Sequence, residues 1–343
     1  MTSSAIHVRA FANYLSEAGH NCVVAVPDCK SSVKAFVRPL YKVTEFIELM
    51  EGGLTFPGQR GPDIVHAWTP GRIVQSCCSR LARYHSFKLI IHLENNEKQI
   101  FEGDILEQAD GVTVTIDTLK EFVPEGIPVC EIPPGADGQL FKPGLNGAAL
   151  KRALKIPEDH AVTVYAGNVH QANAREVRSL YLAVALLNRE GCPTTLVRAG
   201  TDYQPTLDGP SIGFHTIDLG YLDHKMLPHV YSLADFFVQP GRSDKFNYHR
   251  VPAKLAEFFA MGKPVILPKA NVGQYIKHRE EAFVLPVADA TNIVDAVKII
   301  INDRELYQRL AEGARRFFES YLSWPATCRK LVEFYNRFCK SEH

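Results

Sequence analysis

The sequence predicts an α/β protein made of two doubly wound, parallel-sheet domains. The chain has 343 residues, which exceeds what a single hydrophobic core usually serves, so two domains are expected. Short apolar strands alternate with amphipathic helices in two separate series, a pattern typical of parallel sheets covered by helices on both faces. Between the two series, residues 133–147 are rich in proline and glycine, as expected of a linker between domains.

The N-terminal series opens with a helix rather than with a strand. Val8, Phe11 and Leu15 share one helical face, Gly19 ends the helix, and residues 22–26 form a continuous apolar strand. Further strands are expected at residues 63–68, 88–92, 111–116 and 129–132. Because a doubly wound domain normally begins with its central strand, we expect the first strand of the N-terminal sheet to be missing.

The C-terminal series begins after the linker. Its strands are expected at residues 162–167, 195–200, 235–239, 264–267 and 282–286. The first helix places Val177, Leu180, Val184 and Leu187 at spacings of three and four, and a final helix at residues 324–338 repeats that spacing. We therefore divide the chain into an N-terminal domain, a C-terminal domain and a closing helix, at residues 1–147, 148–322 and 323–343.

The balance of charge argues against nucleic acid as a partner. Thirty-eight lysines and arginines are matched by 38 aspartates and glutamates, so no net field attracts the chain to a polyanion. The eight cysteines are scattered without a CxxC pair, which favours buried thiols in a reducing cytosol over a metal site. The sequence contains neither an apolar stretch of about 20 residues nor an apolar signal segment. We therefore expect a cytoplasmic protein, with peripheral contact at the inner membrane left open.

One helix of the C-terminal series carries a charged face and leads into a buried strand. It begins near Pro252 and ends at Gly262, as the positions of proline and glycine indicate. Arg250, Lys254 and Glu257 recur at spacings of four and three and can share one face. Two cations suit a diphosphate, and a carboxylate can accept hydrogen bonds from hydroxyl groups. The same spacing also fits a solvated helix face with ordinary ion pairs, so the pattern alone leaves both interpretations open.

This helix and the following strand resemble the nucleotide-sugar segment of family 4 glycosyltransferases. In that family a proline is followed by an acid, seven residues, a glutamate and an ending of Gly-Lys-Pro-Val type. Glu257 matches the glutamate, which in the family holds the donor ribose, and residues 262–265 match the ending. For the first acid, which meets the sugar, the spacing leaves Asp244 and His249 as candidates. A subset of the family has the run Asn-x-x-Arg-x-Pro-x-Lys-Leu-x-Glu, which this chain matches from Asn247 onward.

Three other segments resemble the same family. PPGADGQLFKP, at residues 133–143, is similar to the family's interdomain segment. The loop after the first C-terminal strand carries an arginine and a lysine for the diphosphate in many members, and here the matching stretch offers Asn168, His170, Asn173 and Arg175. Backbone N–H groups at the start of the next helix can also bind phosphate, although Asn173 fits equally well as the cap of that helix. The segment LGYLD resembles a loop that meets the nucleobase, near Tyr221.

A histidine stands at the end of one N-terminal strand. His92 follows the apolar run at residues 89–91, at the carboxyl end where open α/β sheets bind their ligands. Family members often carry a histidine there that meets the donor sugar, and the position also suits acceptor binding or acid–base work. The polar residues 94–97 follow directly. His66, inside another strand, is interpreted as a packed histidine.

The resemblance implies a GT-B glycosyltransferase, with two Rossmann-like domains facing a cleft. Such an enzyme would move a sugar from a nucleotide-sugar donor to a glycan, lipid-linked or small-molecule acceptor, with retention at the anomeric carbon. The predicted catalytic residues are His92, Asp244 and His249. The predicted donor-binding residues are Asn168, His170, Asn173, Tyr221, Arg250, Lys254 and Glu257. No acidic DxD motif occurs, so neither a metal nor a cofactor is expected.

Two other functions stay open. A non-catalytic nucleotide-sugar binding or scaffold protein, descended from such an enzyme, would account for the missing strand and the unsettled first acid. It would also account for the absence of an Arg/Lys pair from the first C-terminal loop. An epimerase of the same architecture would need acidic residues placed for proton abstraction, and the sequence offers no convincing set.

Overall fold

The computed structural model describes residues 3–27, 41–51, 54, 56, 61–68, 71–94, 105–203 and 215–339. Contacts divide the chain into two compact units. The N-terminal unit comprises Met1–Pro134 together with Trp324–His343, and the C-terminal unit comprises Gly135–Ser323. None of the described helices combines the length and the apolar character that crossing a bilayer requires.

Helices and strands alternate along most of the described chain. The helices are α1 (Ser3–Glu17), α2 (Phe46–Met50), α3 (Arg72–Leu81), α4 (Ala148–Ala153), α5 (Ala174–Arg189), α6 (Leu227–Tyr231), α7 (Lys245–Tyr248), α8 (Lys254–Ala260), α9 (Ala290–Asn302), α10 (Arg304–Phe317) and α11 (Trp324–Tyr335). The strands are β1 (Val23–Val26), β2 (Lys42–Glu45), β3 (Ile64–Trp68), β4 (Lys88–Leu93), β5 (Gly111–Val114), β6 (Val129–Glu131), β7 (Ala161–Ala166), β8 (Thr194–Ala199), β9 (His215–Asp218), β10 (Phe237–Val238), β11 (Gly241–Arg242), β12 (Val265–Pro268), β13 (Phe283–Leu285) and β14 (Val287–Ala288). Every strand predicted from an apolar run occurs, with ends shifted by two residues or fewer. The apolar pattern does not predict β2, β9, β11 or β14, because their sequences, KVTE, HTID, GR and VA, contain no apolar run longer than two residues.

In the N-terminal unit, four strands form one parallel sheet in the order β3-β4-β5-β6. β1 and β2 form a separate parallel pair. Ile90 and Val112, in the middle of the four-stranded sheet, are fully buried. The final helix, α11, packs on α1, where Phe11 shares a buried cluster with Cys328 and Leu331. The last helix of the chain therefore contributes to the core of the N-terminal unit.

An apolar cavity of about 620 Å³ runs along β1 and β3. Consecutive residues of both strands line it, residues 23–25 of one and Ile64–Trp68 of the other. Side chains of a strand alternate between two faces, so a cavity lined by every residue in turn lies along the strand edge. Among the described residues, β1 pairs only with β2, and β3 pairs only with β4. The described sheet is thus interrupted at this cavity, and the missing strand stays a prediction.

In the C-terminal unit, six strands form one continuous parallel sheet. β7, β8 and β9 are paired in that order, as are β10, β12 and β13, and a bridge between Thr163 and Phe236 joins β7 to β10. The resulting order is β9-β8-β7-β10-β12-β13, with the first strand of the unit in the middle. One apolar cluster packs α5 and α9 against the sheet, and a second packs α6 and α8. This is a doubly wound, Rossmann-like sheet with its switch point between β7 and β10, the place where such sheets bind ligands.

The segment that resembles a linker packs against the C-terminal unit. Ala136 bridges to Ser323, and Phe141 is fully buried in the C-terminal core. By contacts, that unit therefore begins at Gly135, whereas the sequence places the boundary near residue 148. Proline and glycine interrupt the periodicity of this segment without preventing its apolar residues from packing. The cleft that the resemblance implies stays a prediction.

Candidate functional site

Glycines bring three loops together at the carboxyl ends of the central strands of the C-terminal unit. Gly167 follows β7, and its N–H donates to the carbonyl of Ala199, at the end of β8, over 2.8 Å. The N–H of Gly200 donates to the carbonyl of Gly220, also over 2.8 Å. Gly200 has a φ of +134°, and a β-carbon there would lie 2.5 Å from the carbonyl oxygen of Gly167. Only glycine allows both this backbone conformation and this approach.

The loop between β7 and α5 is closed by its own asparagines. Asn173 is 6% exposed, and its Oδ1 accepts a hydrogen bond from the N–H of His170 over 2.8 Å. Its Nδ2 donates to the carbonyl of Asn168 over 3.0 Å, while Oδ1 of Asn168 accepts from the N–H of Thr201 over 2.9 Å. Asn173 stands at the N-cap position of α5 without making a side-chain cap bond. Its observed contacts therefore hold the loop rather than cap the helix, and Asn168 and His170 remain exposed.

Lys254 lies beneath this loop, at the start of α8. Its Nζ is 3.6 Å from the centre of the Tyr165 ring, and a β-carbon on Gly167 would lie 2.8 Å from the same atom. Burial, reinforced by the charges of Arg250 and Arg198, lowers the pKa of Lys254 to about 7. The protonated and the neutral forms of Lys254 are therefore both populated at neutral pH.

Arg250 is the second cation of this region. Its guanidinium carbon lies 4.5 Å from the centre of the Phe246 ring. Burial lowers the pKa of Arg250, and the charges of Glu176 and Asp244 partly offset that effect. Among the described residues, no carboxylate forms an ion pair with Arg250 or with Lys254. The two cations predicted to bind a diphosphate are thus partly buried and carry no counter-ion of their own within that part of the chain.

Arg198 is a third cation, which the sequence patterns did not predict. It is fully buried at the end of β8, pairs with Asp202, and donates to the carbonyl of Gly167 over 3.1 Å. Its guanidinium carbon lies 5.4 Å from the centre of the Tyr165 ring, which also contacts Lys254. Arg198 therefore supports the glycine loop from inside the unit. The signal in the sequence is an arginine within the otherwise apolar strand TLVRAG.

Glu257, predicted to bind the donor ribose, is held by two residues that the sequence does not single out. Its Oε1 lies 2.7 Å from Nε2 of His224, and its Oε2 accepts a hydrogen bond from the Tyr231 hydroxyl over 2.8 Å. The hydrogen bond to Glu257 is the main cause of a raised pKa of His224. The carboxylate is thereby fixed in one orientation, and each oxygen keeps a lone pair for a further donor.

The two candidates for the first acid have different surroundings. Asp244 caps α7 by accepting from the N–H of Asn247 over 2.9 Å, and its carboxylate lies 3.5 Å from Nε of Arg242. His249 is largely buried, with its ring 4.9 Å from that of Tyr248. Tyr221, predicted near the nucleobase, is 74% exposed.

The region of Asp244 also contains a carboxylate that sequence analysis misses, that of Glu176 from the first turn of α5. Its Oε1 accepts a hydrogen bond from Nδ2 of Asn247, which is 2% exposed. A carboxylate from a helix 71 residues earlier thus reaches the segment for which the sequence predicts an acid.

His92, in the N-terminal unit, belongs to a buried aromatic group. Its Nδ1 lies 2.8 Å from Oγ1 of Thr113, and its ring centre is 3.8 Å from that of Trp68. Nε2 has no hydrogen-bond partner among the described residues. Burial lowers the pKa of His92 well below its ordinary value, so the imidazole is neutral at physiological pH. Its role in catalysis stays a prediction.

His66 packs against the same threonine, as the sequence suggests. Its Nε2 lies 2.8 Å from Oγ1 of Thr113 and its Nδ1 lies 2.6 Å from the hydroxyl of Tyr335. Both ring nitrogens of His66 are therefore engaged within the N-terminal unit. Of the polar residues after β4, only Glu94 is described, and residues 95–97 lie outside the described part of the chain.

Comparison with solved structures identifies the fold. Sucrose-phosphate synthase from Thermosynechococcus elongatus superimposes with a TM-score of 0.72, covering 97% of this chain and 92% of that one at 20% sequence identity. Anabaena Alr3699/HepE, solved in complex with UDP-glucose, gives a TM-score of 0.71, covering 97% and 96% at 13% identity. The chain therefore has the GT-B fold of glycosyltransferases.

Sequence comparison narrows the class further. Residues 160–303 match the family described as Glycosyl transferases group 1. D-inositol 3-phosphate glycosyltransferase from Saccharomonospora viridis is 27% identical over 265 residues, which are 71% of this chain and 59% of that relative. Residues 160–303 of the C-terminal unit are thus similar to group 1 glycosyltransferases, and the predicted resemblance to glycosyltransferases is confirmed. This chain spans about three fifths of the length of that relative.

Proposed function

We propose that this chain transfers a sugar from a nucleoside diphosphate sugar to a hydroxyl group of an acceptor. The observation that carries the proposal is the pair of cations Arg250 and Lys254. Both are partly buried, burial lowers the pKa of both, and no described carboxylate pairs with either. A buried charge without a counter-ion destabilises the folded protein, so binding of an anion would stabilise both cations. A diphosphate also suits the adjacent glycine loop and the free N–H groups at the start of α5.

Catalysis in this proposal consists of positioning the donor and stabilising the departing diphosphate. Arg250 and Lys254 meet the negative charge that develops as the bond to the sugar breaks, in a partly desolvated place where such contacts are strong. Glu257, already oriented by His224 and Tyr231, accepts hydrogen bonds from the ribose. Retention at the anomeric carbon is proposed on the resemblance to family 4 alone.

The remaining predicted residues receive roles at the edges of this site. Asn168 and His170 lie exposed on the loop after β7 and are proposed to contact the donor phosphates. Tyr221, exposed after β9, is proposed to lie near the nucleobase. His92 is proposed for the acceptor side, where its Nε2, which has no hydrogen-bond partner among the described residues, can accept a hydrogen bond from a hydroxyl group.

The substrates are proposed from the relatives. A UDP-sugar is the donor to test first, because Alr3699/HepE is solved with UDP-glucose. A polyhydroxylated small molecule is the first acceptor to test, because the bacterial relative is named for inositol 3-phosphate. We propose that protein cations replace a metal, that no cofactor takes part, and that the protein works in the cytoplasm. Contact with the inner membrane would use α3, where Arg80 and Ile73 are exposed.

A second candidate function is a nucleotide-sugar binding or scaffold protein without transferase activity. It is favoured by the first C-terminal loop, which holds asparagines where many family members carry an arginine and a lysine. In this chain those asparagines hydrogen-bond the loop itself.

The test is a binding and turnover screen. Calorimetry against UDP, GDP and ADP, followed by their sugars, should show saturable binding of one nucleotide that Lys254→Ala and Glu257→Ala weaken. Release of that nucleotide in the presence of a hydroxyl acceptor would support the transferase. Binding without turnover across glycan, lipid-linked and inositol phosphate acceptors would favour the scaffold function. If no nucleotide binds to well-folded protein, both proposals are wrong.

A further inference from the structure

The segment after β10 is where the transferred sugar should meet a carboxylate, and the sequence offers Asp244 for that role. The structure gives Asp244 another function, because its carboxylate caps α7 and lies near Arg242. Its side chain is 39% exposed, so its charge is largely solvated. Within the described chain, this leaves the sugar side of the site without the acid that the spacing predicts.

Glu176 brings a carboxylate to this place from another part of the fold. Gly241, at the start of β11, has a φ of +147°, and a β-carbon there would lie 3.1 Å from Oε1 of Glu176. The carboxylate therefore passes directly over the backbone at the mouth of the central strands. Any side chain at position 241 would push it away.

A single buried amide holds Glu176 in position. Nδ2 of Asn247 donates to Oε1, and Asn247 is itself almost completely buried in a short helix whose N-terminus Asp244 caps. Asn247 is also the first residue of the run Asn-x-x-Arg-x-Pro-x-Lys-Leu-x-Glu. The motif thus contains a residue that fixes a carboxylate lying outside the motif.

The charges around Glu176 fit a site for a sugar diphosphate. Among the charges, those of Arg250 and Lys254 lower the pKa of Glu176, with Arg250 the stronger of the two, whereas that of Asp244 raises it. Burial raises the pKa of Glu176 from its ordinary value. Oε2 accepts no hydrogen bond within the described part of the chain, so this oxygen is available to hydroxyl groups of a ligand.

We propose that Glu176 is the carboxylate that binds hydroxyl groups of the transferred sugar, in place of Asp244 or His249, an inference that rests on the proposed donor function. Arg250 and Lys254 bind the diphosphate, and Glu176 accepts hydrogen bonds from hydroxyl groups of the sugar attached to it. Asn247 is a positioning residue, since it acts on the ligand only through Glu176. A carboxylate accepts hydrogen bonds from hydroxyl groups more strongly than a neutral acceptor does. Glu176→Gln should therefore weaken binding of the sugar and leave binding of the diphosphate unchanged.

The test compares each nucleotide with its own sugar. Calorimetry would use UDP with UDP-glucose and GDP with GDP-mannose, so that the ratio of the two affinities isolates the contribution of the sugar. In Glu176→Gln we expect the contribution of the sugar to fall roughly tenfold or more, with affinity for the free nucleotide unchanged within about twofold. Glu312→Gln, which alters an exposed carboxylate of α10 paired only with Arg316, serves as the matched control and should change neither value.

Each outcome decides the point. An unchanged sugar contribution in Glu176→Gln, or a larger loss in Asp244→Asn, would overturn the assignment of Glu176. An equal loss of free nucleotide and nucleotide sugar, together with a lower unfolding temperature, would show a structural role and also overturn it. Failure of the unsubstituted protein to bind either nucleotide pair would instead remove the proposed function, and the inference with it.

Discussion

The two units of the chain treat their buried titratable groups in opposite ways. In the N-terminal unit, His66 and His92 share Thr113 as a hydrogen-bond partner, and burial keeps both imidazoles neutral. In the C-terminal unit, Arg250 and Lys254 are partly buried as cations, with no described carboxylate paired to either. Buried neutral groups that are hydrogen-bonded carry little desolvation cost, whereas buried charges without a counter-ion are costly and are candidates for binding an oppositely charged ligand.

The sheets of the two units differ in a related way. Six strands of the C-terminal unit run without interruption, and its glycine loops meet at the switch point. The described strands of the N-terminal unit form two groups, with the apolar cavity along the edges of β1 and β3. The uninterrupted sheet carries the candidate donor site, and the family match at residues 160–303 falls within the same unit.

The largest effect expected from this difference between the two units is at Lys254. Lys254 forms no ion pair among the described residues, and we propose that it binds the diphosphate. Lys254→Met removes this cation, so we expect binding of a nucleoside diphosphate to weaken about 10- to 100-fold. The same variant should unfold at a higher temperature than the unsubstituted protein when no ligand is present. Because the folded-state pKa of Lys254, about 7, lies below that of the unfolded chain, the unfolded state binds more protons above pH 7. The cost is therefore present in full below pH 7 and relieved as pH rises, so the stabilisation should be larger at acidic than at alkaline pH.

A paired lysine of the same unit supplies the control. Nζ of Lys263 donates to the carbonyls of Ser232 and Ala234, so Lys263→Met should lower stability and leave nucleotide affinity unchanged. If Lys254→Met destabilises the protein as much as Lys263→Met, the ammonium of Lys254 is satisfied and the comparison between the units fails. Calorimetric titration and differential scanning calorimetry supply both measurements.

The close approach of the glycine loops predicts the next largest effect. Gly200→Ala places a β-carbon against the carbonyl of Gly167 and also strains φ, so we expect a loss of stability of roughly 3 kcal/mol or more, together with weaker nucleotide binding. Gly191→Ala is the matched control, because Gly191 also has a positive φ (+74°) but faces open space. It should lose only about 1–2 kcal/mol and keep its affinity. Urea denaturation would measure both losses, and equal losses in the two variants would show that the loops can move apart.

Acid should weaken the N-terminal unit through its neutral histidines. Burial lowers the pKa of His66 to about 3 and that of His7 to about 4, below the value in an unfolded chain. The unfolded state therefore binds more protons in this window, so stability falls as pH drops below about 6.5. Both tryptophans of the chain, Trp68 and Trp324, lie in this unit. Their fluorescence should change at a higher pH than the circular dichroism of the whole chain, and the reverse order would contradict the account.

The smallest effect on nucleotide affinity is expected from removing the hydrogen bond that Tyr231 donates to Glu257. Tyr231→Phe removes one hydrogen bond to its Oε2, so nucleotide affinity should fall by roughly threefold to tenfold, as about 1 kcal/mol implies. Tyr307→Phe removes a comparable bond, from its hydroxyl to the carbonyl of Asp235, on the far side of the unit. It should leave nucleotide affinity unchanged. A similar loss in both variants would mean that Tyr231 stabilises the core rather than the site.

The fold could be predicted largely from the sequence, because buried parallel strands are recorded directly as short apolar runs. β9 was missed because its sequence, HTID at His215–Asp218, contains no apolar run. Residues 133–147 were interpreted as a linker because periodicity shows where regular structure stops, while the packing of Phe141 depends on the tertiary fold.

The candidate site could be predicted only where its residues are close in sequence. Arg250, Lys254 and Glu257 were found from their spacing, since residues three and four apart lie on one face of a helix. Lys254 and Glu257 do lie on α8, whereas Arg250 precedes that helix by four residues. Their partners come from other elements: Tyr231 stands 26 residues from Glu257, and Glu176 stands 71 residues from Asn247. No local spacing records such contacts.

The most direct test of the central claim, an unpaired Lys254 that awaits a diphosphate, is proton uptake on binding of UDP-glucose. Calorimetry near pH 7.5 in two buffers of different ionisation enthalpy measures that uptake, and this diester has no group of its own that titrates near neutrality. Because the pKa of Lys254 is about 7 without a ligand and a bound anion raises it, we expect uptake of a substantial fraction of one proton, which Lys254→Met should abolish. Binding without proton uptake, or uptake that persists in Lys254→Met, would contradict it.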